Sequence, residues 1–144
     1  MASAVQVAAL ILEKSGPMTA MKLQKLVYYC QAWSLVWDAT PLFSDRIEAW
    51  ANGPVVPQLY RQHRGKFEVG KGDIQGDVDC IVGKELATVQ AVLNYYGNRD
   101  PFWLSQLTHA EAPWRDARKG LQPGERGSSE ITLAAMSEYY GSLV

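Results

Sequence analysis

The sequence predicts a mainly α-helical α+β fold, in which about six helices surround a central apolar helix beside a small β-hairpin. Three features support this prediction. Residues 21–37 form a nearly all-apolar segment of helical length, two short β-favouring segments follow between Leu42 and Ala51, and apolar residues recur at helical spacing through the rest of the chain. With 144 residues, 47% of them apolar, the chain has the size and composition of one globular domain. We therefore expect a single domain over residues 1–144.

The two N-terminal helices have clear end signals. Ser3 can cap a first helix that runs through Lys14, Gly16-Pro17 ends it, and Thr19 can cap the second helix. One face of the second helix carries Leu23, Leu26, Val27, Cys30, Trp33 and Trp37. The opposite face is also largely apolar, which leaves two interpretations: the helix lies at the centre of the fold, or a partner covers it. We favour the central position.

A β-hairpin and a short helix are predicted next. Leu42-Phe43 and Ile47–Ala51 favour β-strands, joined by a turn at residues 44–46. Asn52-Gly53-Pro54 is a second turn, and Pro54 suits the first position of a helix because its missing N–H would be unpaired there in any case. The third helix is therefore predicted from Pro54 to about His63.

Further helices follow a glycine-rich segment, residues 65–83, that is predicted to be a loop. Thr108 and Glu111 have the spacing of a capping box, which would open a short helix. The predicted helices cover residues 86–96, a segment that begins at Asp100-Pro101, a segment from Thr108 to Arg118, and residues 131–140.

Composition excludes several classes of protein. The formal net charge of −1 is a poor match to a chain that grips phosphate backbones along its whole length. The two cysteines, Cys30 and Cys80, form neither a disulfide framework nor a metal-ligand pattern, which favours a reducing cytoplasm. No apolar run approaches the roughly 20 residues that cross a bilayer. We expect a cytoplasmic protein without a membrane segment.

The sequence offers little support for an enzyme. Its only histidines are His63 and His109, and no phosphate-binding loop, nucleophile elbow or zinc-protease motif is present. His63 lies at a basic helix end, where a cation complements the helix dipole. His109 would form an acid/base or ligand pair with Glu111 only if both side chains converged, and we favour a hydrogen bond to local backbone instead. We expect no catalysis, no cofactor and no metal.

Two kinds of binding protein remain. Helices followed by a hairpin resemble a winged helix, and a basic face for nucleic acid would comprise Lys22, Lys25, Arg61, Arg64 and Lys66. Against this, a recognition helix exposes several polar side chains to base edges, whereas the second helix offers only two lysines near its start. Aromatic residues and arginine anchor protein interfaces, and the chain has five tryptophans and seven tyrosines. We favour protein binding.

Four groups of residues carry a family resemblance. They are Lys22-Leu23-Gln24-Lys25-Leu26-Val27-Tyr28-Tyr29; Ile47-Glu48-Ala49-Trp50 with Asn52-Gly53-Pro54-Val55; Leu59-Tyr60; and Thr108-His109 with Pro113-Trp114. In this order and spacing they resemble the Panacea domain of the SocA-like antitoxin family, whose members are often encoded by phages or prophages. The resemblance extends from the second helix to the last, and none of its residues is catalytic.

The resemblance implies an antitoxin that neutralises a partner toxin by direct binding. One branch of the family instead acts as an adaptor that delivers its toxin to a cytoplasmic protease, and different members pair with unrelated toxins. Since the Panacea-like domain spans residues 1–144, we expect no separate DNA-binding module. A homo-oligomer stays an open alternative.

We predict that the binding surface combines the back of the second helix, the hairpin and the helix end after Tyr60. The predicted partner-binding residues are Lys25, Tyr28, Tyr29, Tyr60, Arg61, Arg64 and Trp114. Lys25 and Arg61 would steer the partner, and the aromatic residues would supply contact area. Structural roles are predicted for Trp50, Gly53, Pro54 and His109.

Overall fold

The computed structural model describes residues 1–144 and contains seven helices and two small antiparallel sheets. The helices are α1 (Ala4–Ser15), α2 (Ala20–Trp37), α3 (Pro57–His63), α4 (Gly83–Tyr96), α5 (Pro101–Ala110), α6 (Ala112–Ala117) and α7 (Leu133–Gly141). The strands are β1 (Met18–Thr19), β2 (Glu48–Trp50), β3 (Gly53–Val55) and β4 (Glu68–Val69). The predicted mainly helical α+β class is confirmed.

Local signals define the ends of the first two helices as predicted. The Ser3 hydroxyl accepts a hydrogen bond from the Gln6 N–H at 3.1 Å, and the Gln6 side chain accepts one from the Ser3 N–H at 2.9 Å, which completes a capping box. The Thr19 hydroxyl accepts from the Lys22 N–H at 3.1 Å at the start of α2. Gly16 follows α1 in the left-handed region, with φ of 81°.

Helix α2 lies at the centre of the fold, as we expected. It packs against α1, α4, α5 and α7, and its side chains are buried on every face from Leu23 to Ala32. The exception is its C-terminal end, where Trp37 is 49% exposed instead of facing the core. The apolar back of α2 is therefore covered by the chain itself and needs no partner.

The hairpin lies later in the chain than we predicted. It pairs β2 with β3, with Trp50 opposite Gly53 and Glu48 opposite Val55, and its turn is at Ala51-Asn52. Leu42-Phe43 is not a strand, because the side-chain amide of Gln31 takes the place of a partner strand. Its Oε1 accepts from the Leu42 N–H at 2.7 Å, and its Nε2 donates to the Phe43 carbonyl at 2.7 Å.

The third helix begins at Pro57, not at Pro54. Pro54 lies inside β3, opposite Ala49, whereas Pro57 occupies the first helical turn. Pro54 was preferred because it follows the turn-forming pair Asn52-Gly53, whereas Pro57 follows two valines, although either proline suits a helix start. As a consequence Val55 belongs to the hairpin. Helix α3 is short, and it places Tyr60 and His63 beside the hairpin.

Two predictions for the later segments are also corrected. The segment predicted as loop contains β4, which pairs with β1 through Met18 opposite Val69. Thr108 does not open a helix: it belongs to α5, and its hydroxyl donates to the Ser105 carbonyl at 3.1 Å. Glu111 precedes α6, yet its side chain makes no capping bond.

None of the helices has the length and apolar character required to span a lipid bilayer.

Candidate protein-binding surface

An open cleft of about 530 Å³ lies between the start of α2, the hairpin and α3. We call it the aromatic cleft. Its lining residues are Met21, Gln24, Glu48, Trp50, Ala51, Asn52, Val55, Tyr60, His63, Arg126, Gly127 and Ser128. It therefore includes Tyr60, which was predicted to contact a partner, and Trp50, for which a structural role was predicted. The wall from the segment before α7 was not predicted.

Three ring side chains form one side of the aromatic cleft. Trp50 on β2 and Tyr60 on α3 meet edge to face, with their ring centroids 4.9 Å apart. Tyr60 meets His63 in the same way at 5.3 Å. Residues 60 and 63 face the hairpin together because positions three apart lie on one side of a helix. Trp50 and Tyr60 are half-buried, so each presents part of its ring to the cleft.

The floor of the cleft is held by the buried side chain of Gln24. Its Oε1 accepts from the Val56 N–H at 2.9 Å, and its Nε2 donates to the Val56 carbonyl at 3.3 Å. The same Nε2 lies 2.9 Å from His63 Nε2, so His63 accepts this bond in its neutral form. Burial lowers the pKa of His63 below its ordinary value of 6.5. The prediction that His63 acts as a helix-end cation is therefore wrong at neutral pH.

Glu48 is the only carboxylate in the lining, and it is already paired. Its Oε1 accepts from Trp50 Nε1 at 2.8 Å, and its Oε2 accepts from Arg46 Nε at 2.8 Å. The first bond fixes the indole of Trp50 against the hairpin. The second supplies a counter-charge, so Glu48 adds little net negative charge to the cleft.

Three exposed arginines lie in or beside the cleft without an acidic partner. Arg126 lines it and makes no hydrogen bond or ion pair through its side chain. Arg61 and Arg64 are on or next to the last turn of α3, and the only side-chain bond of either is from Arg61 to the neutral Gln58 at 2.9 Å. Three positive charges without an acidic partner therefore lie in or beside the aromatic cleft.

Lys25, Tyr28 and Tyr29 are not surface residues. Each is at most 1% exposed, so the prediction that they contact a partner directly is corrected. They were misplaced because an apolar helix gives no sign of which face the chain covers when both faces are buried. Lys25 Nζ donates to the Asn52 carbonyl at 3.3 Å under the hairpin turn, and burial lowers its pKa to about 8.

The tyrosines of α2 instead form a buried polar cluster with Glu111 and Tyr140. Glu111 Oε1 accepts from the hydroxyls of Tyr29 and Tyr140, each at 2.7 Å. The Tyr28 and Tyr140 hydroxyls are 3.0 Å apart, and since Tyr140 donates to Glu111, Tyr28 donates to Tyr140. Burial raises the pKa of Glu111, although both tyrosine bonds favour its ionised form. This cluster joins α2 to α7.

Trp114 and His109 support the hairpin from α6 and α5. Trp114 Nε1 donates to the Trp50 carbonyl at 2.9 Å, and the ring of His109 stacks on Trp114 with centroids 4.0 Å apart. Burial lowers the pKa of His109, whose Nε2 is buried without a hydrogen bond. The side chain of Glu111 bonds to the tyrosines and makes no bond to His109, so the pair considered for acid/base chemistry is not formed.

The basic face of the winged-helix alternative is only partly present. Lys22 Nζ donates to the Gly97 carbonyl at 2.7 Å, and Lys25 is buried. Lys66 is paired with Asp73 at 2.7 Å. Of the five residues proposed for that face, Arg61 and Arg64 are exposed and free of acidic partners.

The residues that complete the cleft were not predicted from the sequence. Gln24 was placed on the face of α2 opposite the predicted core face, with no role assigned, yet it pairs with backbone 32 residues away. Arg126, Gly127 and Ser128 come from a segment without helical or strand periodicity. Their place depends on the Ala49 N–H, which donates to the Ser129 carbonyl at 2.8 Å. No local signal encodes such a contact between distant segments.

Comparisons with known proteins agree with the resemblance. The family model described as antitoxin SocA-like, Panacea domain, matches residues 23–115. Antitoxin SocA from Caulobacter vibrioides (strain NA1000 / CB15N) is 41% identical over 124 residues, which cover 75% of this chain and 66% of that protein. No solved structure matches this chain. Since the family model covers more than half of the chain and includes α2, the hairpin and α3, the protein belongs to the SocA-like antitoxin family and contains a Panacea domain.

Proposed function

We propose that this protein neutralises a partner toxin by binding it directly, through the aromatic cleft and the arginines beside it. The observation that carries the proposal is a difference in exposure between the residues of the cleft and the tyrosines of α2 that were predicted to contact a partner. Tyr28 and Tyr29 are enclosed, whereas Trp50 and Tyr60 are half-exposed next to arginines that lack acidic partners. Aromatic and arginine side chains of this kind supply most of the energy at protein interfaces.

Membership of an antitoxin family supports the same function. We propose that the activity is binding and not catalysis, since the histidines serve the packing of the hairpin and α3. The site of action would be the cytoplasm, because Cys30 and Cys80 are both unpaired. Residues 1–144 would act as one domain, and the bound toxin would be occluded or delivered to a protease. Family resemblance also supports an origin in a prophage.

The adjacent open reading frame provides the test. Its product is expressed from an inducible promoter, with and without this protein, and growth is measured. Tyr60→Ala and Arg61→Glu should reduce neutralisation and weaken binding of the purified product by roughly thirtyfold, as expected for a contact worth about 2 kcal/mol. Both variants should keep the melting temperature within a few degrees.

A matched control uses another exposed aromatic residue. Phe102 on α5 is 72% exposed and outside the cleft, so Phe102→Ala should neutralise as well as the wild type. Full neutralisation by Tyr60→Ala and Arg61→Glu, with loss in Phe102→Ala, would show that the toxin binds elsewhere. Toxin levels followed in strains with and without the cytoplasmic proteases then separate occlusion from delivery.

A further inference from the structure

We infer that the aromatic cleft receives an acidic segment of the toxin, and that Arg126 sets this preference. The inference rests on the proposed function and adds the chemistry of the partner. It depends on the charges that face the cleft, on the occupied edges of the hairpin and on the way the wall at residues 126–128 is held.

The cleft has an excess of positive charge that nothing in the chain neutralises. Among its lining residues the ionisable groups are Glu48, Tyr60, His63 and Arg126. Glu48 is paired with Arg46, and His63 accepts a bond that requires its neutral form. Arg126 is therefore the one uncompensated charge within the lining, and Arg61 and Arg64 add to it from α3.

Elsewhere on the surface, some basic side chains have a carboxylate partner. Arg46 pairs with Glu48 and Glu130, Lys66 with Asp73, and Arg115 with Asp116. Arg126, Arg61 and Arg64 lack such a partner in the isolated protein and lie in or beside one concave surface. A carboxylate from a partner would complete them, and arginine binds carboxylates through two parallel hydrogen bonds.

The partner must contact side chains of the cleft, because the backbone at the outer edge of β2 is not free to pair with a partner strand. The outer edge of β2 is taken by the segment before α7, where the Ala49 N–H donates to the Ser129 carbonyl at 2.8 Å and the Ile131 N–H donates to the Ile47 carbonyl at 2.8 Å. β3 packs against α2 and α5 on its other side. Addition of a partner strand at β2 is therefore blocked, which leaves the cleft as the place of recognition.

The wall that carries Arg126 is held in position before any partner binds. The buried guanidinium of Arg118 donates to the Ala49 carbonyl at 3.1 Å and to the Glu125 carbonyl, one residue before Arg126. The wall lies outside the matched residues 23–115, whereas Gln24, Trp50 and Tyr60 lie inside them. The family segment thus supplies the aromatic side of the cleft together with Arg61 and Arg64, and a different segment supplies Arg126, the charge within the lining.

Charge reversal tests the inference with the purified product of the adjacent open reading frame. Arg126→Glu should weaken binding at least about tenfold, since close charge pairs across interfaces commonly contribute that much. Lys84→Glu makes the same change of charge at an exposed site outside the cleft and should stay within twofold of the wild type. One Asp→Lys or Glu→Lys variant of the toxin should restore binding to Arg126→Glu.

The outcomes separate the two proposals. If the wild type binds the toxin and Arg126→Glu binds it equally well, the inference is wrong while the proposed function stands. If Arg126→Glu is weaker but no charge-reversed toxin restores it, the partner group is not acidic and the inference again fails. If the wild type neither binds nor neutralises the product, the proposed function fails and the inference falls with it.

Discussion

At the scale of single residues, two buried glutamines of α2 organise segments distant in the chain. Gln31 bonds to the backbone of Leu42 and Phe43, and Gln24 bonds to both backbone groups of Val56. Each amide satisfies backbone groups that would otherwise be buried without partners. A buried backbone group without a hydrogen bond costs about 1–3 kcal/mol of stability. The helix thus directs the path of the chain on both sides of the hairpin through polar contacts in an apolar core.

Gly53 is the residue on which the hairpin turn depends. Its φ of 133° is rarely adopted by residues with a side chain, and an added Cβ would lie 3.3 Å from Lys25 Cε and Nζ. We predict that Gly53→Ala lowers the free energy of unfolding by about 1–3 kcal/mol, as backbone strain of this kind does. Urea denaturation of the purified variant measures the change.

Gly72→Ala is the control for that measurement. Gly72 has open space around it and no positive φ, so its free energy of unfolding should change by less than about 0.5 kcal/mol. Equal stability of the two variants would mean that the turn tolerates a side chain at residue 53. The prediction of a structural role for Gly53 would then be lost.

At the scale of elements, the starts of α1, α2 and α5 followed from the sequence, while the strand partners did not. Ser3, Thr19 and Asp100 each act within three residues of the backbone group they cap, so their signals are local. The hairpin was misplaced because turn residues occur both at 44–46 and at 52–54, and α3 was misplaced because prolines occur at both 54 and 57. The long-range contacts of Gln31 with Phe43 and of Gln24 with Val56 distinguish these alternatives. The short β4 pairs with β1 about fifty residues earlier and has no periodicity of its own.

Helix α7 is joined to the core by the Glu111 cluster. We predict that Glu111→Ala lowers the free energy of unfolding by about 2 kcal/mol or more, because the Tyr29 and Tyr140 hydroxyls lose their buried acceptor. Glu111→Gln keeps an acceptor oxygen and should lose less. Denaturation at pH 7 measures both variants.

Glu138→Ala serves as the comparison for these variants. Glu138 lies on α7 but is exposed and makes no side-chain bond, so its loss should change stability by less than about 0.5 kcal/mol. A Glu111→Ala protein as stable as Glu138→Ala would show that burial of the carboxylate cancels its hydrogen bonds.

At the scale of the whole molecule, two histidines should make the free energy of unfolding decrease as the pH falls below about 6.5. The pKa values of His63 and His109 are lowered by burial below the ordinary 6.5. The unfolded chain therefore binds more protons than the folded one between the folded and unfolded pKa values. The stability from these groups is complete above pH 6.5 and is lost as the pH falls through their folded pKa values.

We predict that the free energy of unfolding of the wild type decreases from pH 7.5 toward pH 5, and that His63→Gln shows a shallower decrease. Glu111 acts in the opposite direction, because its raised pKa favours the folded state at low pH. The comparison of the two proteins removes this contribution, since both contain Glu111. Parallel curves for the wild type and His63→Gln would show that His63 does not titrate with unfolding.

The candidate site was predicted in part. Tyr60, Arg61 and Arg64, which were predicted to contact a partner, are accessible at the surface. Trp50, for which a structural role was predicted, lines the cleft. The buried residues of α2 were wrongly included because one helix alone does not reveal how many elements surround it. Arg126 was missed because its position depends on contacts of residues 118 and 129 with the hairpin.

The burial of α2 on all sides also has a consequence for folding during synthesis. Its neighbours α1 and α7 come from opposite ends of the chain, and the hydroxyls of Tyr28 and Tyr140 meet across 112 residues. On the ribosome, the face of α2 that packs against α7 therefore stays uncovered until residues 133–141 have emerged. Contacts between such distant residues form slowly, so newly made molecules pass through a period in which chaperones and proteases have access to a segment that the finished protein conceals.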